Sequence, residues 1–592
     1  MNWSLSKLYD GFETPKWQTD FMRFETLIEQ INVFSAQFAG KHTDTQAAAL
    51  TQEFLELFAE SHVLAEGLIG YCQLILSVNV SDETAANRLD VLENLATELT
   101  KPATLMQKYI ARIDNFEQII NSSQFLSAHR FYLQELRDMS QYLLSDAEEV
   151  IISKMEVTGS SAWEKLRDNI TATLSVDIII NQKEQKQPLS VIRNYAYSAD
   201  PVLRKNAYIA ELASYEKIHD TAAFCMNSIK GEVLTVCKMR GYESPLSMTL
   251  LNSRMDAETH LALIGAIKHN LPVIHRFLKH KAKLLGHKNS LPFHDLFAPL
   301  GSSKKYTYDE AKTIVYESFA DFSHTLANVA KRAFDEKWID PYPAHGKTGG
   351  AFCASFNGIG ESRILMNFGG SFSDCLTLAH ELGHAHHHAC TKGLSVLNCD
   401  YPMPIAETAS TFSETLVLSQ VLKTDDPSLL LFALNQDLTD AAQIIADIYS
   451  RYIFELNVFK ERKNGIISPT RLNELMLDAQ KEAYGDALDK NHLHPFAWIP
   501  KSHYYYAHYN FYNFPYAYGM LFAKGLFAAY QNESSEFSAS SFAQAYDDLL
   551  SITGRATLYE IGEKAGINVR DEMFWENSLK LIENETERFE KL

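Results

Sequence analysis

His380, Glu381 and His384 stand in the order His-Glu-x-x-His within the segment SFSDCLTLAHELGHAHHHACTKG. On a helix, residues four apart differ by about 40°, so both imidazoles rise on one face and can meet a single tetrahedral Zn²⁺ at about 2.0–2.1 Å. Two neutral imidazoles leave room for a third ligand and a water, and the adjacent Glu381 can take that water's proton as general base. The pattern implies hydrolysis by metal-activated water. Ser371 and Asp374 form an N-terminal capping pattern and Lys392-Gly393 a C-terminal stop, which predicts one complete helix around the motif. His384 and His388 repeat the four-residue spacing, but Ala385 follows His384 and that register lacks a base. His386, His387 and His388 therefore read as helix surface.

A second acidic helix is predicted at PIAETASTFSETLVLSQVL, with Glu407 and Glu414 seven residues apart and so on one face. Either carboxylate can complete the ligand set, with the other supporting it from behind. Attack of water on a peptide carbonyl creates an oxyanion, which a Tyr O–H or His N–H can stabilise beside the metal. His503 and Tyr512 are the candidates, in the run HYYYAHYNFYNFPYAYG; most of its other tyrosines read as a buried aromatic seam.

The elements that must position these groups come from a chain of 592 residues with only 26 Gly and 17 Pro, which favours long helices. A formal charge of -20 argues against a nucleic-acid partner. The opening MNWSLSKLYDGFETPKW has no apolar signal core, and no uninterrupted apolar stretch approaches a membrane span, so a cytoplasmic protein without a membrane partner is expected. Seven cysteines without a CxxC pair predict buried thiols rather than disulfides or a thiolate metal site.

In Phe21 to Phe38, Phe24, Leu27, Ile28, Ile31 and Phe34 recur at helical spacing, in a segment expected to scaffold. Thr171 to Ile180 alternates, meets the polar run NQKEQKQP and leads to another extended segment from Leu189, a hairpin with a domain boundary nearby: 1–190 a helical scaffold, 191–592 the catalytic part. Asp256 is placed to cap the helix that follows and Gly286 to stop the next, with the basic cluster His280 to Lys288 as a solvated face. Glycine and serine crowd between Tyr342 and Ser373 around a short strand, Arg363 to Phe368. Gly346-Lys347-Thr348 resembles the end of a phosphate loop, but Pro341 stands where that loop needs glycine, which excludes nucleotide binding by this route.

At WSLSKLYDGF, GSSAWEKL, FDEKWID, KTGGAFC, ILMNFGGSFSDCLTLAHELGHAHH, IAETASTFSE and HYYYAHYNFYNFPYAYG the chain resembles the oligoendopeptidase F branch of the thimet oligopeptidase family of zinc metallopeptidases, over most of its length. The resemblance implies a mainly α, elongated helical enzyme with a deep substrate channel, a thermolysin-like HExxH helix and a small β-sheet beside the active site. It implies one Zn²⁺ per chain on His380, His384 and Glu407, Glu381 as base, and His503 and Tyr512, with Tyr516 as a further candidate, on the oxyanion and substrate. It also implies that Arg363 to Phe368 pairs with substrate backbone. The expected function is internal cleavage of short unstructured peptides, against two rivals: a carboxy-dipeptidase on the same scaffold and a non-catalytic helical peptide-binding protein.

Overall fold

Helix α1 (Pro15–Ser35) starts where Thr14 caps the Trp17 N–H and Pro15 fills the first turn. Its stripe Phe24, Leu27, Ile28, Ile31 and Phe34 is buried against α2 (Asp44–Val78). By length and composition α2 is apolar enough to cross a membrane; here it buries Phe54, Leu55, Leu68 and Cys72 in a core drawn from Trp3 to Leu133 together with Phe356, Leu365 and Leu397. These elements belong to a computed structural model that describes residues 2–302, 304–531 and 539–592. The chain is mainly helical, with two small sheets among the described residues.

A second core gathers residues from Leu174 to Phe589. It opens with a hairpin of β1 (Ser175–Ile180) and β2 (Lys183–Pro188). The polar run is thus itself the second strand, and Leu189 begins a helix rather than an extended segment. Asn181 and Gln182 make the two-residue turn, both at positive φ (50° and 63°), the geometry that matches strand twist. Because β2 is almost wholly exposed, it carries no apolar alternation to betray it.

Helix α3 (Ala257–Leu284) is one element, capped by Asp256, containing Pro272 and followed by Gly286 at φ +86°. Its basic end is only in part a solvated face: Lys283 and Lys288 are exposed, whereas Lys281 and His287 turn to the protein. Lys281 is fully buried and donates to the Leu296 carbonyl (2.8 Å) and Thr439 Oγ1 (2.9 Å). His287 lies 2.6 Å from Asp295. Positive charge on a helix C-terminus is favourable, and here it is turned inward to tie elements together.

The sheet beside the candidate site has the order β3 (Ile339–Asp340), β5 (Glu361–Leu365), β4 (Phe352–Phe356). Strand β5 is central: it runs parallel to β3 and antiparallel to β4, and all five residues are buried. Its successive residues Ile364 and Leu365 enter the second and the first core respectively, so the sheet lies between the two. The strand expected to pair with substrate is flanked by β4 along its length and by β3 at Ile364 and Leu365, and the outer edges of the sheet, among the described residues, are those of the two-residue β3 and the five-residue β4. Lys347 is buried on Asp340 (2.7 Å), with no phosphate-binding role left for it.

Beyond the sheet, α4 (Phe372–Cys390) packs on α5 (Thr408–Val421). Helix α6 (Pro427–Ala442) continues through a π turn, Gln443–Asp447, into α7 (Ile448–Arg462); α8 (Phe514–Gln531) and α9 (Ala539–Leu550) follow. Gly383 permits the α4–α5 contact: a Cβ there would stand 2.6 Å from the Ala409 carbonyl oxygen and 2.7 Å from Ser410 Cα. Inside a helix Gly→Ala ordinarily stabilises by about 0.5–1 kcal/mol. At Gly383 the clash is with backbone, so we expect Gly383→Ala to destabilise by about 1–3 kcal/mol in chemical denaturation. Gly67→Ala in α2, where the nearest atom is Tyr9 Oη at 3.4 Å, is expected to have the opposite sign. Equal effects from the two would show that close packing does not govern the α4–α5 contact.

Candidate active site and metal centre

Helix α4 is fixed at its start by a capping box: Ser371 Oγ accepts from the Asp374 N–H (3.1 Å), and Asp374 Oδ2 accepts from the N–H groups of Ser371 (2.8 Å) and Gly369 (3.0 Å). Two turns on, His380 and His384 bring their Nε2 atoms to 3.2 Å from each other. Glu407, at the junction between Met403–Ala406 and α5, places Oε2 3.3 Å from His380 Nε2 and 3.5 Å from His384 Nε2. Ser410 Oγ holds that carboxylate at 2.9 Å. Helix α8 closes behind it, because Gly519 has no side chain: a Cβ there would lie 3.1 Å from Glu407 Cβ.

Three donors at these separations fit a divalent ion. An ion 2.0–2.1 Å from each corner of a tetrahedron requires edges of about 3.3–3.4 Å, and two imidazole nitrogens with one carboxylate oxygen are a zinc-type set. The other ring nitrogen of His380 is hydrogen-bonded to Glu414, which fixes the tautomer that presents Nε2. Glu407 and Glu414 thus take different stations on one ring. Burial pulls His380 toward the neutral form, but its hydrogen bonds to Glu407 and Glu414 hold it well above the ordinary range. Burial pushes Glu407 up, yet the His380 hydrogen bond and the charge at both histidines bring it down to about 2. His384, desolvated and beside His380, is lowered to about 4, the neutral form a ligand needs.

Glu381 is 5% exposed, and its Oε2 finds no hydrogen-bond partner among the described residues. Burial pushes it up to about 7, with Glu407 and Glu414 adding to the shift and His380 opposing it. A carboxylate so placed is suited to exchange protons near neutrality. Cys353 on β4 feels the Glu381 charge, and burial first, then that charge, raises its thiol to about 12. It remains a thiol rather than a nucleophile.

His503 lies in the turn Ser502–Tyr505. Asn513 Oδ1 receives the Arg451 guanidinium (3.0 Å), so at 2.9 Å it also accepts from His503 Nδ1–H. Burial lowers the His503 pKa and keeps the ring neutral, which leaves Nε2 as an acceptor. Tyr512 packs on this ring at 4.5 Å between centroids, and Tyr516 lies 6.0 Å beyond. Burial, then Tyr512 and the Glu407 charge, hold the Tyr516 hydroxyl firmly protonated. The segment turns through Phe511 at φ +52°, a strained position for a bulky residue. Its N–H donates to Glu455, which in turn pairs with the fully buried Lys230 at 2.7 Å. Tyr504, Tyr505 and Tyr518 are core residues.

The three histidines after the motif are not helix surface: His386, His387 and His388 are all buried. His386 bonds Asp547 of α9 (2.8 Å), and His387 bonds Thr553 (2.7 Å) and stacks on Tyr401 at 4.0 Å. His388 lies 3.4 Å from Ser362 of β5. They anchor the C-terminal half of α4 to α9, to Thr553 and to β5. Spacing alone missed them, because helix faces that meet protein look the same in sequence as faces that meet water when histidine occupies both. The supporting Asn513 and Arg451 were missed as well; a lone asparagine within an aromatic run was the available signal.

The family model described as Peptidase family M3 matches residues 194–581, and that described as Oligopeptidase F matches 112–175. The chromosomal oligoendopeptidase F of Lactococcus lactis subsp. cremoris is 28% identical over 66% of this chain and 64% of its own length. Oligopeptidase PepF of Bacillus subtilis is 24% identical over 100% of this chain and 87% of its own. The crystal structure of oligoendopeptidase-F from Enterococcus faecium superposes with a TM-score of 0.72 at 19% identity, covering 97% of this chain and 99% of that one. The helical scaffold with its small sheet is therefore the oligoendopeptidase F fold, and the chain belongs to peptidase family M3.

Proposed function

We propose that this peptidase is a zinc-dependent endopeptidase that cuts internal bonds of short, unstructured oligopeptides. The observation that carries the reading is the donor triangle of His380, His384 and Glu407 with the buried, unpartnered carboxylate of Glu381 beside it. When bound there, zinc supplies a Lewis acid that polarises the scissile carbonyl and makes water acidic enough to lose a proton near neutrality. Glu381 takes the proton of the attacking water and returns it to the leaving amine. Tyr512 and Tyr516 are the remaining hydroxyl donors for the developing oxyanion. His503, held in its Nδ1–H form by Asn513, accepts from a substrate N–H at Nε2; donation from that atom would require a second proton.

Strand β4 supports a backbone mode of substrate binding. Its outer edge is open, and its Cys353 lies close enough to Glu381 to feel that charge, so an extended peptide added to this edge runs beside the base. Main-chain pairing tolerates many side chains, as a peptidase of broad use requires.

We expect Glu381→Gln to keep about one zinc per chain by metal analysis while turnover of a fluorogenic oligopeptide falls by roughly 10²–10⁴. Near-normal turnover would overturn the assigned role. Glu407→Ala should lose most of its zinc on dialysis against chelator, and Glu414→Ala should weaken zinc affinity by about 10–100-fold. A peptide acetylated at one end and amidated at the other should still be cut internally, mapped by mass spectrometry; failure to cut it would favour the carboxy-dipeptidase. A chain that holds no zinc and cuts nothing would leave only the peptide-binding rival.

A further inference from the structure

A cavity of about 390 Å³ lies behind His503, between α7, the π turn and the segment that carries Lys501 and Tyr504. Two chains of side-chain interactions link its wall to the candidate site. Arg451, in its wall, is hydrogen-bonded to Asn513 and through it to His503. Thr439, also in its wall, neighbours Asp440, whose carboxyl feels the charge of Glu414.

The charges in the wall do not cancel. Arg451 is paired with Asp447 of the π turn, Arg193 lies 3.6 Å from Glu211, and Arg204 pairs with Asp295 at 2.7 Å. Lys501 is left over: among the described residues its ammonium has neither a hydrogen-bond nor an ion-pair partner. A half-buried ammonium with no partner beside a cavity of this size points to an anionic ligand. The helix running from Pro427 to Arg462 also departs from α geometry here, and π turns recur where helices serve a site.

We propose that this cavity receives a carboxylate of the peptide substrate on Lys501; the proposal rests on the endopeptidase reading. The carboxylate is either the peptide's C-terminus or the side chain of an acidic residue. Burial first, then Arg451, lower Lys501 to about 8 against the opposing charges of Asp447 and Glu211 in the same wall, and a carboxylate arriving at the ammonium would favour its charged form. A C-terminal carboxylate held here would set the cut at a fixed count of residues from that end.

The test measures affinity separately from turnover. Zinc-loaded Glu381→Gln protein is titrated, by fluorescence anisotropy, against three forms of one labelled oligopeptide: free acid, amide, and amide with one Gln replaced by Glu. We expect the free acid or the Glu form to bind at least about tenfold more tightly than the plain amide, as a charge-assisted hydrogen bond implies. The form that gains identifies the source of the carboxylate. In Glu381→Gln/Lys501→Met the ratio should fall to about one, a comparison made within each protein and so unaffected by a general loss of affinity. Equal affinity for all three forms, or a ratio that survives Lys501→Met, overturns the proposal. If the wild-type chain cleaves none of the three, the endopeptidase reading fails, while the affinity ratio still decides the carboxylate site.

Discussion

His380 is gripped at both ring nitrogens, by Glu407 on one side and Glu414 on the other, and the remainder of the site follows from that grip. The two carboxylates come from either end of one α5 turn pair, so α4 and α5 must approach until their backbones touch. Only a residue without a side chain allows it, and Gly383 stands there. The same requirement recurs at Gly519, where α8 presses on Glu407 from behind. Two missing Cβ atoms therefore set a ligand triangle whose edges match a zinc tetrahedron. Two carboxylates around one imidazole also demand positive charge between them, which the half-buried site meets with a proton on His380 or with a metal ion.

Much of this was legible in the sequence, for physical reasons that differ by element. The motif helix declared itself through its capping box and the four-residue histidine spacing, and α1 through a stripe of five apolar residues. The choice between Glu407 and Glu414 was not legible from spacing, since both lie on one face; only the three-dimensional placement shows one at Nε2 and the other at Nδ1. Hairpin strand β2 was hidden because exposed strands carry no alternation. The central position of β5 was hidden because pairing partners on either side, Ile339 and Cys353 opposite Ile364, leave no local trace.

Buried charge was the least legible property. Lys281, Lys230 and Arg363 look like surface residues in composition, yet each is nearly inaccessible and bonded to carbonyls or carboxylates from distant segments. Arg363 reaches the Ser4 carbonyl at 2.7 Å, and Ser4 in turn donates to Lys337, so the N-terminal segment is clipped onto the catalytic sheet. The Lys230 and Arg363 cross-links join segments more than 200 residues apart, and their loss would leave unpaired charge in the interior, a cost that far exceeds that of a surface ion pair.

The open side of β4 has a consequence for selectivity on the proposed reading. A vacant strand edge offers hydrogen bonds only to a chain whose own amides are free. Segments inside a native protein have already committed theirs, whereas a loose fragment has not. The five-residue rim thus sorts its visitors by how well folded they are, with no gate needed for the distinction.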